Sequence, residues 1–85
     1  MSLPETALTE SPVGILTAVR EELRAIRRRL SKVRVVSHQG FSFHQGVLAG
    51  RPVVVGASGM GPNPARRAAA ALIERFRPHC LLIAG

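Results

Sequence analysis

The stretch VVVGASGMGPNPARRAAAALIERF, residues 53 to 76, constrains the fold more than any other part of the sequence. A β-branched apolar run, a glycine-rich loop and an alanine-rich run that favours helix follow one another without interruption. Strand, tight loop and helix in that order form the building unit of α/β architecture, in which helices pack on the faces of a partly parallel sheet. Gly56, Gly59 and Gly61 let the backbone turn sharply and approach a ligand closely, and Ser58 adds a hydroxyl. The helix that follows turns its free amides and positive dipole end toward the loop. Pro62 and Pro64 remove two of those amides, which weakens the loop as an anion cradle. Its spacing, G-x-x-G-x-G, reverses the dinucleotide fingerprint, and no Lys-Ser or Lys-Thr pair makes it a P-loop. Two readings stay open for residues 56–61: one wall of a small-ligand site, or glycines that end a strand and let a helix pack closely.

The rest of the chain extends the same pattern. Val13 to Thr17 reads as a strand, and Val19, Leu23, Ile26 and Leu30 recur at intervals of four, three and four, which is one face of a helix. Glu21 and Glu22 occupy its first turn and Arg27 to Arg29 its last, each where the helix dipole favours that charge. Residues 33–37 and 41–48, separated by His38 to Gly40, and residues 51–57, preceded by Ala49 and Gly50, read as antiparallel strands. Asn63 is placed to cap a second helix beginning at Pro64, with Ala68, Ala69, Leu72, Ile73 and Phe76 as its buried stripe and Pro78 at its end. His79 to Gly85, apolar without alternation from Leu81 to Ala84, reads as a buried strand. The expected fold is α/β, a mixed, partly parallel sheet flanked by two helices. Two helices cannot cover both faces of such a sheet, and the chain stops where a strand would deliver residues to a ligand crevice. Residues 13–85 are therefore read as the incomplete N-terminal part of a larger domain, and residues 1–12 as a disordered leader with no signal or transit pattern.

Composition narrows the partners. Twelve Lys and Arg against five acids give a formal charge of +7, which makes an anionic partner worth testing. With no Trp, no Tyr and three Phe, small aliphatic side chains must fill the core. The longest apolar runs fall far short of the roughly 20 residues of a membrane-spanning helix, so no membrane partner is expected. Cys80, the single cysteine, offers no disulfide and fits a reducing cytoplasm; within its apolar run it reads as buried packing. His38, His44 and His79 share no short ligand spacing, and neither a metal nor a cofactor is expected.

Four blocks, in order, carry a resemblance: Val13 to Ile15 with Ala18, Glu21 and Glu22; Gly46 to Gly50; Ser58 to Gly61; and Pro78 to Gly85. Together they resemble the nucleoside phosphorylase superfamily, most closely its 5′-methylthioadenosine/S-adenosylhomocysteine nucleosidase branch, over residues 13–85. The resemblance implies cleavage of a purine N-glycosidic bond through a cation-like sugar, for which a nearby carboxylate is favourable. By the same resemblance, Glu22 matches the glutamate that positions the attacking water. Ala18 and Met60 fall where the family lines the sugar and nucleophile side, within a substrate loop comprising Ser58, Gly59, Met60 and Gly61. Thr17 stands where nucleosidases commonly carry Gly, Arg20 where they carry an acid, and Pro62 where a Lys often follows the glycine. The phosphate loop of the phosphorylase branches is missing, which supports water over phosphate as the nucleophile, although Arg20 keeps phosphate open as a partner. In the family, later segments supply base contacts and an aspartate that protonates the purine, so the 85-residue chain is expected to be inactive alone. Family members also form dimers or larger assemblies that share pockets, which implies a homo-oligomer.

Two other functions compete. Seven basic side chains between Arg20 and Arg34 could neutralise nucleic-acid phosphates, but only Phe41 and Phe43 offer aromatic platforms, and a solvated helix face explains the arginines more simply. Nucleic acid is thus the less favoured partner. An unfinished sheet edge could instead make the chain an association surface only. Glu21 and Glu22, for their part, are also what an ordinary solvated first helical turn would carry.

Overall fold

Five strands and two helices follow one another in the computed structural model, which describes residues 11–84. They are β1 (Val13–Thr17), α1 (Arg20–Arg27), β2 (Ser31–His38), β3 (Phe41–Leu48), β4 (Arg51–Ala57), α2 (Pro62–Phe76) and β5 (Cys80–Ala84). The strands form one mixed sheet in the order β2-β3-β4-β1-β5, with β1 parallel to both β4 and β5 and the pairs β2/β3 and β3/β4 antiparallel. The expected α/β class is what the chain adopts. Of the expected leader, residues 1–10 lie outside the described residues. Ser11 and Pro12 are described, and their carbonyls lie 3.0 and 3.1 Å from Nδ1 and the backbone N of His79.

Each hairpin turns on two residues of positive φ, Gln39 and Gly40 in one and Ala49 and Gly50 in the other. Such paired left-handed residues match the twist of the flanking strands, which is why short hairpins favour them. They fold β2, β3 and β4 into a meander and leave β1 free to insert on the far side of β4.

Alternation along the strands sends side chains to two separate layers. Val13, Ile15, Val53 and Val55 face α1, meeting Leu23, Ile26 and Leu30. Leu16, Phe43 and Val54 face α2, meeting Ala68, Ala71 and Leu72. One helix therefore covers each face of the sheet, and each covers only its middle.

Several details differ from the sequence reading. Helix α2 starts at Pro62 with Gly61 as its cap residue, and no side chain caps it. Proline fits the first helical turn because its missing N–H has no partner to lose there, so the start lies two residues before the expected one. Asn63 falls inside the helix. Ile73 is half exposed while Ala71 is buried, because the stripe that meets the sheet is narrower than the apolar stripe in the sequence. Strand β5 is an edge strand, paired with β1 only; Cys80 is exposed, and Leu82 and Ile83 are 54% and 70% exposed. The expectation of a buried last strand with Cys80 packed inside is thereby corrected. An apolar run without alternation says that a strand prefers both faces covered, and neither helix reaches that far across the sheet.

Gly56 is the tightest point of the interior. A Cβ there would sit 2.7 and 2.9 Å from two ring carbons of Phe43. Since Phe43 is itself 1% exposed, its ring has no room to retreat. Gly56→Ala is expected to destabilise the fold by about 1–3 kcal/mol, read as a lower urea midpoint with an unchanged slope.

Candidate functional site

Strands β1 and β4 run parallel and side by side, with Thr17 opposite Ala57 at their carboxyl ends. From that shared rim the chain leaves in opposite directions, β1 into α1 on one face and β4 into α2 on the other. A fork of this kind leaves a crevice between the two departing loops, which is where open α/β sheets take their ligands. Backbone hydrogen bonding ties the two loops together: the Ser58 N–H donates to the Thr17 carbonyl at 2.9 Å. Ser58 Oγ lies 3.4 Å from the same carbonyl and 3.0 Å from that of Gly59.

Thr17 is a polar residue buried in the fold, 1% exposed, and its hydroxyl donates to the Val19 carbonyl at 3.0 Å. That bond braces the short turn carrying Ala18 into α1, so a threonine takes the place expected of a glycine and stiffens the loop. Ala18 and Ser58 are half-buried at the fork. Beyond Ser58 the loop opens to solvent, with Met60 74% exposed between Gly59 and Gly61. Both glycines have positive φ, 93° and 101°, a region that side chains rarely adopt.

The two acids of α1 differ in their surroundings. Glu21 is exposed, whereas Glu22 is half-buried, and its Oε1 is shielded from solvent without a hydrogen-bond partner among the described residues. Buried polar atoms are nearly always paired, so an orphaned carboxylate oxygen in the first turn after β1 marks a place where a donor belongs. The topology thus brings Ala18, Glu22 and the residues 58–61 to one rim. Neither of two sizeable concavities formed by the described residues includes Glu22, Ser58 or Met60. The fork is a wall, open on one side.

One of those concavities lies away from the fork, and the other touches its rim at Arg20 and Ala57. One, of about 600 Å³, is between the Gln39–Gly40 turn and α2, against Phe41, Arg67 and Glu74. Here Glu74 Oε1 lies 3.1 Å from both His38 Nε2 and Gln39 Nε2, and those two contacts hold its carboxyl below the usual range. The other, about 500 Å³, lies between α1 and the β2–β3 hairpin and is flanked by Arg20, Arg24, Arg27 and His44. Sequence reasoning missed this groove. Its signal was the four-and-three spacing of the arginines, but the contribution of His44 depends on β3 lying antiparallel to β4, which puts His44 opposite Val55 on the α1 side.

The three histidines stand apart, His38 by Glu74, His79 by Ser11 and His44 in the groove. Among the described residues no group of three His, Cys, Asp or Glu comes together as metal ligands. Burial first, and Arg27 second, lower the His44 pKa from its ordinary 6.5. Unfolding restores the higher value, so the unfolded chain takes the proton first. The stability from this group is full above about pH 6.5 and is lost as pH falls through the folded-state pKa. Urea midpoints measured from about pH 8 to pH 5 are expected to drop more for the parent chain than for His44→Gln.

Comparison with known proteins adds a separate line of observation. Residues 12–85 match the sequence profile of the family described as the Phosphorylase superfamily. The 5′-methylthioadenosine/S-adenosylhomocysteine nucleosidase of Aeromonas salmonicida is 34% identical over 73 residues, covering 86% of this chain and 32% of the relative. The crystal structure of the Colwellia psychrerythraea nucleosidase, in complex with adenine, superposes with a TM-score of 0.85 at 34% identity, over 89% of this chain and 31% of that one. The Neisseria meningitidis nucleosidase with methylthio-immucillin-A gives 0.81 at 32% identity, over 86% and 32%. The chain thus spans about a third of the length of these relatives. No helix among the described residues is long and apolar enough to cross a membrane.

Proposed function

The chain belongs to the phosphorylase superfamily over residues 12–85, and from that premise we propose that it forms one wall of a nucleoside site in an enzyme cleaving the N-glycosidic bond of purine nucleosides. The observation carrying this reading is the β1/β4 fork, with the orphaned Glu22 Oε1 on one arm and the Ser58 to Gly61 loop on the other. In this reading Glu22 accepts a hydrogen bond from water and aims the water's lone pair at the sugar's anomeric carbon. As the C–O bond forms Glu22 takes the water's proton, while the base leaves with the C–N electron pair and is protonated by a group outside this wall. Ala18 and Met60 border the sugar, and the loop amides around Gly59 approach it closely because no side chain intervenes. Negative charge beside the developing cation lowers the barrier without any covalent step. Relatives named as nucleosidases support purine nucleosides as substrates and water over phosphate as nucleophile.

An open wall binds a small ligand weakly, because most ligand sites bury the greater part of their guest. We therefore place turnover in an assembly that closes the fork, and expect none from the 85 residues alone. A cytoplasmic setting belongs to the same reading, supported by an exposed Cys80 thiol with no disulfide. The test is adenine release from 5′-methylthioadenosine by the chain, and by a chimera joining residues 12–84 to the rest of the Colwellia nucleosidase. Release by the folded chimera and none by the chain is the expected result. A folded, inactive chimera defeats the reading.

A second reading is favoured by β5, whose apolar Leu82 and Ile83 lie exposed at a sheet edge. The opposite edge, β2, carries Lys32 and Arg34, charges of the kind that discourage strand addition, whereas β5 carries none. Association of like chains through β5 is expected to appear as concentration-dependent sedimentation that Leu82→Lys abolishes.

A further inference from the structure

The groove between α1 and the β2–β3 hairpin has features that the fork does not explain. Arg20, Arg24 and Arg27 recur at intervals of four and three, so one face of α1 directs all three guanidiniums along one wall. Among the described residues no carboxylate lies within ion-pair distance of any of them. Half-buried Leu23 and exposed Val35, which pairs with His44 across the hairpin on the α1 face, supply apolar surface between the walls. His44 stands against the same space, and its Nδ1 is shielded from solvent with no hydrogen-bond partner among the described residues. Glu22 does not border the groove.

Unpaired guanidiniums and an apolar floor call for different parts of one ligand. Planar guanidinium forks match the oxygens of a phosphate in pairs, whereas an inorganic ion alone would leave Leu23 and Val35 unused. At about 500 Å³ the space is within the range of small-molecule sites. We infer that this groove binds a small organic phosphate, its oxygens on Arg24 and Arg27 and its carbon body against Val35 and Leu23. His44 borders the groove, so its ring reports occupancy. The groove meets the fork's rim at Arg20 and Ala57, but Ala18, Glu22 and residues 58–61 do not border it, and its occupancy does not depend on the nucleosidase reading.

Phenyl phosphate, inorganic phosphate and benzyl alcohol serve as probes, titrated into the whole chain at fixed ionic strength and followed by NMR of the three histidine rings. Phenyl phosphate is expected to bind saturably, to move the His44 resonances rather than those of His38 or His79, and to bind more tightly than either of the other probes. Arg24→Gln with Arg27→Gln should weaken it by at least about tenfold, since both charge-assisted contacts to the phosphate are lost. Arg75→Gln with Arg77→Gln removes the same charge far from the groove and should change binding less than about twofold. Both pairs are exposed, and circular dichroism verifies that each variant folds. Arg27→Gln alone provides a milder check on the same contact. Equal losses from the two pairs would mean diffuse attraction and overturn the proposal. So would an absence of saturation, or binding confined to a long oligonucleotide that phenyl phosphate does not displace.

Discussion

Phe43→Ala is expected to leave the chain largely unfolded at room temperature. Phe43 is 1% exposed and belongs to the layer formed by Leu16, Val54, Ala68, Ala71 and Leu72. Its ring meets Phe76 edge to face at 5.6 Å and Phe41 at 6.3 Å, so it joins α2 to the hairpin as well as to the sheet. Removing a buried Phe side chain costs about 3–5 kcal/mol, while a core this small supplies a net stability of roughly 3–5 kcal/mol. The loss thus equals most or all of what holds the fold. Neighbours cannot collapse into the space cheaply, because Gly56 behind the ring has no side chain to offer and the β3/β4 ladder fixes the backbone. Far-UV circular dichroism against urea should show little or no folded baseline for the variant. Phe41→Ala, at a half-buried position, should retain a clear transition. A native-like midpoint for Phe43→Ala would mean that the α2 layer does not hold the sheet as described.

The parts of this fold that could be read from sequence are those set by local chemistry. Residues 53–76 could hardly be anything but strand, loop and helix, and Ala49 with Gly50 had the composition of a turn before their φ values, 52° and 80°, made it one. Less accessible was where α1 stops. The apolar spacing continues to Leu30, yet the helix ends at Arg27, because Arg29 and Leu30 donate to carbonyls three residues back and tighten the last turn. Leu30 still reaches the core, so its periodicity recorded burial rather than helix. Exposure of β5 was beyond reach for another reason: a run such as Leu81 to Ala84 specifies an apolar environment, but sheet order decides whether this chain provides one. The same applies to the candidate sites. Which residues border the fork could be named from a family resemblance, but that β1 and β4 are neighbours, with helices leaving to opposite faces, is a property of the assembled sheet. The arginine groove needed the register of β3 as well.

Glu22→Gln is the substitution on which the proposed chemistry turns, and the chimera is where it is measured. Glutamine keeps the length and shape of the side chain and its capacity to accept one hydrogen bond, but it cannot take a proton or carry negative charge. A carboxylate acting as the base for water should therefore lose about 10²–10⁴-fold in kcat, with KM changed little, since the sugar's contacts remain. Glu21 supplies the control. It has the same chemistry one residue earlier in the same helix turn, but it is exposed where Glu22 is half-buried. If the two acids served only to complement the helix dipole, their replacements would be equivalent and worth a few tenths of a kcal/mol to about 1 kcal/mol in stability, with no selective effect on turnover. Glu21→Gln should therefore match the parent in kcat while Glu22→Gln does not, and thermal melts of the two should agree closely. Equal kcat for both variants in a folded chimera would assign Glu22 to the helix terminus alone and leave the orphaned Oε1 without a chemical role.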